Sequence, residues 1–185
     1  MTGAGTVDAE PRSIHESIGI DTLNDLPNPS LLSKPTRKNM KDCSEAVADA
    51  NLQNAILTGC NLTGAELIAV NLIGATLTRA NLAGANLAAA ILINANLTQA
   101  DLTGATLAGA GLWKADLTRA DLAGATLTGA DLTEAVLFDA DLTNVDLTGA
   151  SLWGANLNGA TLTGVIGWDT VKGKDTIIGL GTAIN

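Results

Sequence analysis

Few side chains in this 185-residue chain are suited to chemistry, and their spacing argues against most of it. There is one histidine, His15, and no tyrosine. The scattered serines have no histidine–acid pair at hand, so a hydrolytic triad has no foothold. Cys43, Cys60 and one distant histidine fall short of the four ligands of a zinc site. The many glycines sit in a five-residue rhythm, not in a loop shaped to cradle phosphate. Asp101, Asp121 and Asp141 stand twenty residues apart and continue Asn61 and Asn81. A chain returning over itself every twenty residues stacks these carboxylates about 5 Å apart, where they could share a Ca²⁺ ion. Their neighbours Thr103, Gly104, Ala123 and Gly124 add few of the six to eight oxygens that ion takes, which favours solvated surface positions. No catalytic residue, cofactor or metal is assigned, and the chain is read as not an enzyme.

The element that would position these groups runs from Ala50 to Gly164. Leucine stands at position 52 and at every fifth position through Leu162, twenty-three times. Two residues before each leucine is a small residue, Ala except at Cys60, Val70 and Val145. Between them is mostly Asn, Asp or Thr, as in Ala80-Asn81-Leu82 and Ala120-Asp121-Leu122. Five residues advance an α-helix by about 500°, so the leucines would form no single stripe. In a long flat strand an odd spacing would throw successive leucines to opposite faces. A short extended piece followed by a bend turns both Ala and Leu inward each time. Repeating that bend winds a coil whose layers share backbone hydrogen bonds at about 4.8 Å.

Small-(Asn/Asp/Thr)-Leu-x-x over residues 50–164 resembles the pentapeptide-repeat family. The resemblance implies an all-β fold, a right-handed quadrilateral β-helix (solenoid) with twenty residues per coil. Thr58, Thr78, Thr98 and Thr118 align at that interval, as do Gly64, Gly84, Gly104 and Gly124, and Ile73 with Ile93. Twenty-three repeats make about six coils, a rod roughly 28 Å long.

The flanks differ in kind. Residues 1–35, with Pro11, Pro27, Pro29 and Pro35, read as an irregular, partly disordered segment, though Ser13 and Glu16 have the form of a capping box. Residues 36–50 place Met40, Cys43, Val47 and Ala50 at helical spacing and are expected to form an α-helix capping the raw first coil. Residues 165–185 lose the rhythm: Gly167 stands where a leucine is due, and Trp168, Val171, Ile177, Ile178 and Leu180 read as a plug with a tail. Cys60 replaces Ala in the inward column where the capping helix must land. A Cys43–Cys60 disulfide would close a loop of about 17 residues and contribute about 3 kcal/mol. The alternative is two small buried hydrophobes.

Composition sets further limits. A hydrophobic content of 46% is carried by the Ala/Leu lining, and the longest apolar run, Leu87–Ile93, is too short to span a membrane. No signal peptide is visible in residues 1–25. The net charge of −9 argues against nucleic-acid or anionic-membrane binding. The acid is concentrated in Asp101, Asp116, Asp121, Asp131, Glu134, Asp139, Asp141 and Asp146, faced by Lys114 and Arg119.

Two functions follow. The first is a non-catalytic structural or protein-interaction module, a rigid scaffold with an unnamed protein partner. The outward column after Leu52, Leu72, Leu92, Leu112, Leu132 and Leu152 reads Gln53, Ile73, Ile93, Trp113, Thr133, Trp153. Ile73, Ile93, Trp113 and Trp153 form a candidate interaction surface, or pack on one another, or are covered by Ile14–Leu26. The second comes from the family, some members of which are similar to B-DNA in shape and charge and bind DNA gyrase or a related topoisomerase. Against it, a 28 Å rod matches only about eight base pairs and some sixteen phosphates. The repeats carry nine acids against three bases, a net of −6. The resemblance also implies a cyanobacterial type found in cytoplasm, periplasm or thylakoid lumen. A disulfide would favour lumen or periplasm, and free thiols the cytoplasm.

Overall fold

The computed structural model describes Cys43 and residues 51–182. The proposed capping helix of residues 36–50, apart from Cys43, and the segment 1–35 lie outside the described residues.

Within residues 51–166 the chain repeats one unit. From Leu52 to Leu147 the residue before each leucine makes a parallel bridge to the residue twenty positions on, as in Asn61↔Asn81↔Asp101↔Asp121↔Asp141↔Thr161. Four pentapeptides therefore make each coil, and the coil has four sides. Side 1 carries Leu52 and its successors at intervals of twenty, side 2 Leu57, side 3 Leu62 and side 4 Leu67. The leucines fill the interior, and those from Leu72 to Leu137 are wholly buried. The inward Ala between them is small enough to let the walls close.

The bend is a tight turn in which the N–H of the next small residue donates to the leucine carbonyl, as in Ala85 N–H to Leu82 O at 2.9 Å. The second residue after every leucine is left-handed, with φ from 54° to 70° across the twenty-three repeats. One left-handed residue at that place is the mark of a type II turn. Twelve of these positions are Gly. The others are Asn, Ala, Arg, Gln, Lys, Glu or Asp, none of them β-branched.

The backbone donors can be followed through one unit. The leucine N–H donates to the next coil (Leu102 to Asp121 O, 2.7 Å), and so does the left-handed residue (Gly104 to Ala123 O, 2.9 Å). The bridging residue donates back to the preceding coil (Asp101 to Ala80 O, 2.9 Å), and the small residue closes the turn. That leaves the N–H of the residue after leucine. It is met by the side chain of the bridging residue, at all thirteen repeats where that residue is Asn or Asp. This is why short carboxylate or amide side chains recur before leucine: they reach their own backbone two residues on.

Beyond Leu162 the coil winds on with a longer step. Ile166 still bridges Asp146 at an interval of twenty, but Lys172 bridges Ser151 and Ile178 bridges Asn156. The added residues form three short 3-10 turns, Trp168–Thr170, Lys174–Thr176 and Leu180–Thr182. Each lies within the same hexad, x-Gly-x-(Asp/Gly)-Thr-(Val/Ile/Ala), beginning at Ile166, Lys172 and Ile178. The glycines are left-handed, with φ of 73°, 76° and 80°. A Cβ on them would lie 2.6–2.8 Å from the Cα of Thr148, Trp153 and Asn158 one layer below, so no other residue fits. With Gly where leucine was, inward bulk moves to the sixth position: Val171 is buried and Ile177 packs against the core.

Candidate functional site

Three groups on this frame have chemical or binding character. The first is the carboxylate column of side 3. Asp101, Asp121 and Asp141 are stacked by consecutive bridges, and each spends Oδ1 on its own turn. The acceptor distances are 3.0 Å from Thr103 N, 3.0 Å from Ala123 N and 2.8 Å from Thr143 N. Among the described residues no cluster of three or more His, Cys, Asp or Glu is arranged to hold a metal ion. The column is thus a run of turn-forming side chains.

Asp146, on side 4, has the tightest version of this turn. Its Oδ1 accepts from the Thr148 hydroxyl at 2.6 Å and from the Thr148 N–H at 2.9 Å. Those two bonds, the hydroxyl's the larger, hold its carboxyl below the ordinary value of 3.8. Asp131, on side 1, is the one acid buried among the described residues, at 2% exposure, and its Oδ1 accepts from Thr133 N at 3.0 Å. Nothing in the sequence set Asp131 apart from the other acids before leucine; it shares side 1 with the bulkiest outward residues of the rod.

That bulk is the second group. On side 1, Ile93 is buried at 7% exposure, while Ile73, Trp113 and Trp153 are half-buried. Lys114 Nζ lies 4.5 Å from the centre of the Trp113 ring and 3.4 Å from Glu134 Oε2 in the next coil. Trp153 is met from the last layer by Gly173, where a Cβ would lie 2.7 Å from its ring carbons. A second ion pair, Arg119–Asp139 at 3.4 Å, repeats the one-coil interval on side 2. The bases of the acidic half are therefore paired along the rod. Exposed apolar side chains lie elsewhere as well, at Ile68, Phe138, Ile166 and Ile178.

The third is the disulfide. Cys43 and Cys60 are joined, with Cα atoms 5.6 Å apart, and Cys43 packs against the core beside the first coil. Cys60 occupies the inward small-residue column and is buried.

The hexads were missed in the sequence although their signal was present. Gly167, Gly173 and Gly179 recur every six residues, as do Thr170, Thr176 and Thr182. The threonines have a defined task. Thr170 Oγ1 donates to Gly167 O at 2.6 Å and accepts from Gly149 N at 2.7 Å; Thr176 Oγ1 does the same with Gly173 O and Gly154 N at 2.7 and 2.9 Å. They receive the left-handed residue's N–H, which elsewhere goes to a carbonyl of the next coil. No helix among the described residues is long and apolar enough to cross a membrane.

The family model for pentapeptide repeats matches residues 48–82, 80–112, 104–139, 115–154 and 140–166, eight copies in all. The chain belongs to the pentapeptide repeat family. Among solved structures, this pentapeptide repeat protein is similar to HetL, a pentapeptide repeat protein involved in heterocyst differentiation regulation from the cyanobacterium Nostoc sp. strain PCC 7120. The identity is 29%, over 73% of this chain and 78% of that one, with a TM-score of 0.49. It is also similar to a pentapeptide repeat protein from the Arabidopsis thaliana thylakoid lumen, at 31% identity over 65% and 71%, TM-score 0.37. A third is a trypsin-treated variant of QnrB1, a plasmid-mediated fluoroquinolone resistance protein, at 24% identity over 66% and 69%, TM-score 0.40. A comparison of the sequence with curated proteins finds no match.

Proposed function

We propose that this pentapeptide repeat protein is a non-catalytic scaffold that holds a protein partner against side 1 of its coil. The observation that carries this reading is the division of labour among side chains. Leucines and alanines are spent on the interior, and Asn and Asp on the turns. On side 1 alone, two tryptophans stand half-buried in one outward column, beside a Lys–Glu pair. From Ile73 to Trp153 is four coils, about 19 Å, the length of an α-helix of about 13 residues. Half-buried aromatics with a charged rim are the usual anchors of a protein interface. An amphipathic helix with an apolar stripe and both charges at its border is the complementary shape.

The disulfide supports an oxidising location, periplasm or thylakoid lumen, because such bonds persist poorly in the cytoplasm. The test replaces Trp113 and Trp153 with Thr, the commonest residue at equivalent positions. Retained stability with loss of a partner captured by the unaltered protein supports the reading. A large loss of stability with capture unchanged makes the column structural. Inhibition of gyrase supercoiling by the unaltered protein would replace this reading with the gyrase one.

A further inference from the structure

The terminal layer has a step. Hexads 166–171, 172–177 and 178–183 lie on sides 4, 1 and 2, whereas side 3 ends on its last pentapeptide, Thr161–Val165. The three covered sides display what such an edge binds. The first residue of each hexad donates its N–H to the small residue's carbonyl below: Ile166 to Val145, Lys172 to Ala150 and Ile178 to Ala155, at 2.8–2.9 Å. Its own carbonyl accepts the leucine N–H, from Leu147, Leu152 and Leu157 at 2.9, 3.0 and 2.8 Å. The hydroxyls of Thr170 and Thr176 receive the left-handed N–H of Gly149 and Gly154.

On side 3 the same three groups, Ala160 O, Leu162 N–H and Gly164 N–H, have no hydrogen-bond partner among the described residues. Thr163 and Gly164 are exposed there, and Leu162, at 8%, is the most exposed leucine of the inward ladder. A cavity of about 360 Å³ opens beside them, lined by Leu162, Gly164, Val165, Trp168 and Leu180. Trp168 and Leu180 are the third residues of the first and third hexads, so the gap lies between those two.

We infer that this edge docks an extended segment of another protein, which adds in parallel over Thr161–Gly164 as a fourth hexad. Main-chain bonds to Ala160, Leu162 and Gly164 supply the pairing, and the cavity supplies selection among side chains. The seated hexads define the chemistry of the occupant. A Cβ on Gly167, Gly173 or Gly179 would lie 2.6–2.8 Å from the Cα of the residue after leucine in the layer below. On side 3 that residue is Thr163, so the segment carries Gly at its second position. Its third side chain is apolar and enters the cavity between Trp168 and Leu180. Its fifth residue is Thr, which receives the Gly164 N–H and closes onto its own Gly carbonyl, as Thr170 and Thr176 do. Its sixth is a branched apolar residue turned inward over Leu162, the place that Val171 and Ile177 take on their sides. A second copy turned end to end does not meet this need. Paired antiparallel about Leu162, its Leu162 N–H would face this one, donor against donor.

The test titrates the isotope-labelled full chain with the synthetic peptide acetyl-Ile-Gly-Trp-Asp-Thr-Val-amide, the sequence of residues 166–171. Peptide is added up to about 5 mM, enough to register a millimolar affinity. Saturable NMR shifts are expected at the Leu162 and Gly164 amides, with hydrogen exchange of both at least tenfold slower at saturation and the Leu102 amide unmoved. The same peptide with Val in place of Gly should leave all three unmoved. No shift at Leu162 and Gly164, or equal shifts with the Val peptide, overturns the docking edge. Slow exchange of these amides in the peptide-free protein overturns it as well. Such protection assigns the edge to the chain itself if it is independent of protein concentration, and to a second copy if it grows with concentration.

Discussion

Asp121 offers a way to separate two things its side chain does. It accepts the Ala123 N–H at 3.0 Å, and it stands one layer from Asp101 and one from Asp141. Two unit charges about 4.8 Å apart repel by about 0.9 kcal/mol in water, and screening at physiological salt roughly halves that. Two neighbours thus cost at most about 1 kcal/mol. Asp121→Asn keeps an oxygen for the turn and removes the charge, so it should raise stability by up to about 1 kcal/mol, a gain that shrinks severalfold in 1 M salt. Asp121→Ala removes the charge and the acceptor together. It should lie about 1–1.5 kcal/mol below Asn, the net value of a hydrogen bond of this kind. Urea unfolding of the three proteins at low and high salt, compared at equal m-value, measures both differences. Equal stabilities for Asn and Ala would mean that the turn bond contributes nothing and that the Asn/Asp preference has another cause. A loss on Asp121→Asn would mean that the charge itself is held by something, a bound cation first of all.

Leu107 is wholly buried mid-rod, so Leu107→Ala should cost about 2–5 kcal/mol by denaturant unfolding, whereas Thr118→Ala, at the surface, should fall within about 0.5 kcal/mol. The reverse order would contradict the inward leucine column. Replacing Cys43 and Cys60 with Ala should lower stability by about 3 kcal/mol, and the unaltered protein should show no free thiol by intact mass with and without reductant. For Asp146 the folded carboxyl lies below its unfolded value, so its contribution is present above about pH 4 and is lost as pH falls through the folded value. Thr148→Val removes the hydroxyl, the larger cause, and should raise the Asp146 titration toward 3.8 in a carboxyl-detected NMR experiment.

The body of the fold was legible because each pentapeptide solves its own problem locally. Leu and Ala specify the inward face, and Asn or Asp before leucine specifies the turn, so twenty-three repeats reinforce one pattern. Cys60 was legible for the same reason: it departs from Ala in a column where departures are rare. The terminal hexads were not, since losing leucine at Gly167 breaks the very feature that marks the repeat. The new inward residues Val171 and Ile177 sit at the sixth place of the hexad, not at the second, where leucine would stand. Side 1 was half legible. The spacing put Ile73, Ile93, Trp113 and Trp153 in one column, but how far each is covered depends on neighbours above and below. That is set by packing between coils, which a one-dimensional pattern does not contain.

The twenty-residue register is the claim on which every side, column and layer above depends. It can be read directly from through-hydrogen-bond NMR couplings in the deuterated protein. The Leu102 amide should couple to the Asp121 carbonyl, and the Gly104 amide to that of Ala123, the bonds seen at 2.7 and 2.9 Å. Couplings from Leu102 to a carbonyl one pentapeptide away, at Asp116 or Thr126, would mean a coil with a different number of sides and would contradict the account.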